Sequence, residues 1–164
     1  MKKFLSLILC AMMVLILVAC GSKDGGNTGS KEGDTMDLTA MVDKLYEGVD
    51  ANNMPMVMTQ EVPAEAFEGV FFIPAVEGAE GVMSEPMMSS VAWSVCLLRV
   101  AEGTDVEATR AAIEQNVNPA KWLCVEAKNV DVIANGNTIL LAMTGEGNED
   151  THKTIVDNFN ALWA

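Results

Sequence analysis

Between Leu38 and Val49, the residues Leu38, Met41, Val42, Leu45, Tyr46 and Val49 fall at i, i+3, i+4, i+7, i+8 and i+11. This spacing predicts an amphipathic helix with Asp43, Lys44 and Glu47 on its polar face. Asp37 or Thr35 is placed to cap its start. Pro55 blocks a long helix through the next stretch, and Pro63 suits the first turn of a short helix over about Pro63 to Phe71. Val82 and Met83 read as extended chain, with Pro86 confining that segment to an edge strand or a bend. The run "VAWSVCLLRV" is β-branched and aromatic with apolar residues on both faces, which predicts a central strand.

The pattern then returns to a helical period. Thr104 and Glu107 form a capping-box pair, Val106, Thr109, Ala112, Ile113 and Val117 supply an inner face, and Pro119 ends the helix. "KWLCVEAKN" fits a short helix or the start of a strand. In "VDVIANGNTILLAMTG" the pair Asn135-Gly136 favours a type I′ turn between β-branched runs, hence a hairpin. Ile155, Val156, Phe159, Leu162 and Trp163 repeat at helical spacing and predict a terminal helix docked on the sheet. The order α, α, β, β, α, β, β, α implies an α+β domain. Its sheet is expected to have about four mainly antiparallel strands, with the helices packed on one face.

The chain ahead of these elements follows a different pattern. Met1, Lys2 and Lys3 precede an apolar run from Phe4 to Ala19, the arrangement of an export signal. The run is somewhat short of the roughly 20 residues a permanent span needs. It ends in Leu17-Val18-Ala19-Cys20-Gly21, which resembles the lipobox of bacterial lipoproteins. The resemblance implies cleavage before Cys20 and a diacylglycerol thioether on Cys20, the lipid-attachment residue. Two acyl chains meet the two-signal requirement for stable anchoring. Residues 1–19 are therefore expected to be a signal peptide. Residues 20–35 form a lipidated cysteine and a flexible, glycine-rich tether reaching roughly 20 Å. Residues 36–164 form the single folded domain. The protein is placed on the extracytoplasmic face of the cell membrane, held there by its lipid anchor.

Charge narrows the partners. The chain of 164 residues carries 23 acidic and 10 basic residues, a formal charge of −13. Loss of Lys2 and Lys3 with the signal makes the mature form more acidic still. Such a balance argues against binding nucleic acid or an anionic bilayer through a basic patch.

The candidate chemistry is sparse, and neither a cofactor nor a resident metal is expected. Met54, Met56 and Met58, with Met83, Met87 and Met88 further on, hold soft thioethers suited to Cu(I). Alternate spacing would put the first three sulfurs on one side, although core gap-filling is the commoner use of methionine. Cys96 and Cys124 sit in a compartment that permits a disulfide, but burial as a free thiol is the usual state of a strand cysteine. A thiol nucleophile would need Cys96 or Cys124 near His152, the only histidine, with Cys124 the candidate for a thiol-dependent enzyme; the ordinary reading of His152 is a solvated surface residue. Glu146 and Glu149 read as a polar loop or a weak calcium site. Trp93, Trp122 and Trp163 would line a groove only if exposed.

"MPMVM", the serine pair before "AWSVCLLRV", the capped helix after it and the "NGNTILLAMTG" hairpin with its terminal helix span most of the chain from Leu38 to Trp163. Together they resemble the Gram-positive bacterial lipoproteins grouped as domain of unknown function 4358. That family commonly has an acidic residue near the start of the main strand. Ser94 occupies the corresponding place here, so no role of that carboxylate carries over. The resemblance implies a surface-exposed lipoprotein without a known activity. The expected function is a lipid-anchored binding or interaction module, with a protein or small-molecule partner. A thiol-dependent envelope enzyme and a methionine-based metal-handling protein are the alternatives.

Overall fold

A computed structural model describes residues 31–164, so the signal segment, Cys20 and the chain as far as residue 30 lie outside the described residues. The elements run α1 (Glu32–Thr35), α2 (Leu38–Leu45), β1 (Val57–Val62), a 3-10 turn (Ala64–Ala66), α3 (Phe67–Val70), β2 (Glu80–Pro86), β3 (Trp93–Arg99), α4 (Val106–Asn116), β4 (Asn129–Asn135), β5 (Thr138–Thr144) and α5 (Glu149–Ala161). The strands form one sheet in the order β1-β2-β3-β5-β4, with every neighbouring pair antiparallel.

The α+β class and the antiparallel sheet stand, with two corrections. The sheet has five strands rather than four, the extra one being β1 at an edge. Helices also cover both faces rather than one. Strand β3 shows why: Trp93, Val95 and Leu97 point into a core built with Leu38, Met41, Val42 and Leu45 of α2 and Ile155 and Phe159 of α5. Cys96 and Leu98 point the other way, into a core built with Phe67, Val70 and Ile113. A strand that alternates side chains and is apolar at every position needs a layer on each side.

Local chemistry sets the element ends. Asp37 caps α2, its Oδ1 accepting from the Ala40 backbone N–H at 3.0 Å. Helix α4 begins one residue later than the Thr104 box places it, because Asp105 Oδ1 accepts from Ala108 N–H at 2.9 Å. The hairpin turn is shifted in the same way. Asn135 pairs with Thr138, so the two-residue loop is Gly136-Asn137. Gly136 has φ +56° and Asn137 lies outside the positive region, which fits Gly-first type II′ chemistry rather than I′. Pro86 does not make β2 an edge; it stands at the last position of an interior strand.

The expected tether is shorter than its composition implies. Residues 31–35 belong to the fold: Gly33 is buried, its N–H donates to Leu162 O at 3.1 Å, and Trp163 Nε1 donates to Asp34 Oδ1 at 2.8 Å. Arg99 at the end of β3 donates to the carbonyls of Met36 at 2.8 Å and Gly33 at 2.9 Å. The described chain therefore begins at the end of the sheet where β3 finishes and the Gly136 turn lies. No helix among the described residues is long and apolar enough to cross a membrane.

Candidate functional site

The opposite end of the sheet is built differently. There β1 starts, β2 ends, β3 starts and β5 ends, as the pairs Val57–Pro86 and Trp93–Thr144 fix. Met56 and Met87 flank the Val57–Pro86 pair, Met58 lies opposite Glu85, and Met88 and Val91 follow in the β2–β3 loop. The loop between α4 and β4 reaches the same end, since Lys128 N–H donates to Thr144 O at 2.9 Å, and it carries Leu123. Met56 is 92% exposed, Met87 82%, Leu123 74% and Met88 69%, with Met58 and Val91 less so. These six are the large exposed hydrophobic side chains among the described residues, and all lie at this one end. A concentration of apolar surface of this kind marks an interaction site more often than scattered exposure does.

Met56, Met58, Met87 and Met88 therefore depart from core gap-filling, while Met54 and Met83 keep to it. Met54 packs against the α2–α5 core and Met83 against the opposite core, while Met56 and Met58 face solvent. The three sulfurs of "MPMVM" do not share one environment.

Beneath this end lies a polar cluster that the sequence did not disclose. Ser94 Oγ and Lys121 Nζ both donate to Glu85 Oε1, each at 2.6 Å, and Cys96 Sγ is 3.2 Å from Ser94 Oγ. Lys121 Nζ sits 5.8 Å from the Phe72 ring centroid and 5.4 Å from that of Trp122, within cation–π reach of both. The ion pair is mostly shielded from solvent, so breaking one partner leaves the other charge poorly hydrated. Two non-glycine residues in the left-handed region flank the cluster, Phe72 at φ +61° and Cys124 at φ +62°. Glu85 and Lys121 stand 36 residues apart, and only the fold shows that they meet.

Each candidate from the sequence has a definite place. Cys20 lies outside the described residues. Cys96 and Cys124 are both free, Cys96 buried and Cys124 exposed. Burial, with the Glu85 carboxylate next in effect, pushes the Cys96 thiol up to about 12, so it stays protonated at physiological pH. His152 is a correction: it is 5% exposed instead of solvated. Its Nδ1 is 3.1 Å from Thr144 Oγ1 and its Nε2 2.8 Å from Asp131 Oδ2. Both ring nitrogens are engaged, and neither serves Cys124. Thr144 is itself fully buried, so this Thr–His–Asp row braces α5 on the sheet and presents no reachable hydroxyl.

The remaining candidates are structural. Trp93 is fully buried, its Nε1 donating to Tyr46 Oη at 3.3 Å, and Trp163 holds α1, so the tryptophans form no common groove. Glu149 Oε1 accepts from Gly147 N–H at 3.2 Å, and no group of three or more His, Cys, Asp or Glu able to hold a metal occurs among the described residues. Every buried side-chain nitrogen and oxygen among them has a hydrogen-bond partner. Comparison of the chain with protein-family models, with curated proteins and with solved structures gave no match.

Proposed function

We propose that this protein is a lipid-anchored binding module of the bacterial cell surface, of the kind its resemblance to the family of domain of unknown function 4358 implies. The observation that carries the reading is polarity along the sheet. The described chain begins at the Gly136 end, and the exposed apolar side chains gather at the other. Seven-residue strands separate these ends by about 20 Å. An anchor at Cys20 would hold the first end toward the membrane and leave the methionine end free for a partner.

Two experiments test the two halves. Replacing Cys20 by Ala should release the protein from the membrane fraction and remove the mass of the lipid. Retention with unchanged mass would end the lipoprotein reading. Chemical cross-linking on native membranes should give a discrete adduct that is lost when Met56, Met87 and Met88 are replaced together by Gln. An adduct indifferent to that change would place the binding surface elsewhere.

The exposed thioethers favour a second reading, soft-metal handling by Met56, Met58, Met87 and Met88. Cu(I) titration against a competing chelator checks it. Met→Leu variants should abolish metal binding there while preserving the apolar surface. No observation favours the thiol enzyme, since the buried Cys96 is a protonated thiol and His152 is committed to Thr144 and Asp131.

A further inference from the structure

We infer that the partner seated on the methionine end is a cationic amphipathic protein segment, its apolar face on the methionines and a lysine or arginine against the exposed carboxylate of Glu146 at the same end. The inference rests on the binding-module reading and names the partner's chemistry.

Charge is the first argument. The chain has 23 acidic residues against 10 basic ones. Every Lys and Arg among the described residues is already held. Glu85 holds Lys121, Glu126 holds Lys128, Glu47 holds Lys44, Glu107 and Glu114 hold Arg110, and Asp157 holds Lys153. Lys31 and Arg99 donate to backbone carbonyls. A cationic partner would therefore meet acids that the protein's own basic side chains do not engage, whereas an anionic one would meet repulsion. The same excess opposes pairing with a second copy or with an anionic lipid surface.

Shape is the second. A shallow groove of about 380 Å³ opens at this end, with Val91, Ala92 and Val125 as apolar lining and Glu126, Glu146 and Lys128 at its polar side. Glu126 is ion-paired with Lys128; Glu146, whose charge also acts on Lys128 from farther off, is an exposed carboxylate without a salt bridge among the described residues. A lysine or arginine side chain fits such a place, its aliphatic stem on the valines and its charge at Glu146. Methionine is the third argument. Its unbranched, polarisable side chain repacks around differing apolar surfaces, which suits the apolar face of a helix laid across Met56, Met87 and Met88 beside that groove.

The test uses the purified full chain in non-ionic detergent and a labelled synthetic helix of leucine and lysine. Its control is the same helix with glutamate for lysine. Anisotropy should show saturable binding of the lysine helix only, weakened as salt rises. Replacing Met56, Met58, Met87 and Met88 by Gln should weaken binding by about tenfold or more, while replacing them by Leu should retain it. Glu146→Gln should weaken it by a few-fold. Circular dichroism of each variant excludes unfolding as the cause. Absence of binding, or binding equal in the Gln variant, overturns the inference. Loss in the Leu variant also overturns it and points to sulfur chemistry. If the lysine helix fails while the methionine-dependent adduct persists on native membranes, the partner's chemistry is wrong and the binding-module reading survives.

Discussion

Cys96 and Cys124 carry the same thiol in opposite surroundings, and their behaviour should separate cleanly. Cys124 is exposed and should be alkylated in the native protein, whereas Cys96 is fully buried and should react only in denaturant. Mass spectrometry before and after denaturation counts the labels at each residue, and rapid native labelling of Cys96 would contradict the packing. The Cys96 thiol also makes stability depend on pH. Its ionisation moves from 9.0 to about 12 on folding, so the folded state keeps a proton that the unfolded state releases. The associated stability is complete below about pH 9 and is lost as pH rises toward 12. Denaturant midpoints measured across that range should fall, with a shallower slope in Cys96→Ala. Burial also raises the Tyr46 ionisation, so part of the slope should remain. Tyr46 donates to Ser84 Oγ at 3.0 Å and accepts from Trp93 Nε1. Tyr46→Phe should therefore cost about 1–3 kcal/mol by chemical denaturation, because it orphans the buried indole N–H.

At the scale of elements, what the sequence disclosed depended on whether a signal was local. The stripe of α2 and the all-apolar β3 were legible because burial imposes their period directly on the residues. Strand β1 was not, because an edge strand with Met58, Gln60 and Glu61 exposed carries little hydrophobic pattern. Helix α1 was hidden for a related reason. Its sequence "EGDT" holds no large apolar side chain, and its place is fixed by Trp163 and Arg99, which lie far along the chain. His152 read as solvated because its partners Thr144 and Asp131 meet it only through the fold. The Glu85–Lys121–Ser94 cluster escaped notice in the same way. The methionines are plain in the sequence, but the exposure of Met56, Met58, Met87 and Met88 depends on the fold. Gly33→Ala tests the α1 docking: an added Cβ would come within 2.4 Å of the Trp163 ring. The substitution should cost about 1–3 kcal/mol and speed proteolysis between residues 31 and 37. Unchanged protease resistance would show that α1 is not held as described.

For the whole molecule, the two ends of one sheet differ in kind, and the proposed function divides labour between them. One end receives the chain that leads from Cys20, and the other presents Met56, Met87, Met88 and Leu123. The acidic surface, with its Lys and Arg side chains already engaged among the described residues, is expected to disfavour anionic partners. The most direct measurement places a photo-activatable residue at Met88 in one sample and at Glu102, near the opposite end, in another, in protein displayed on intact cells. The account predicts a discrete protein adduct from position 88 and none of the same mass from position 102. Adducts of equal yield from both positions, or an adduct from position 102 alone, would contradict it.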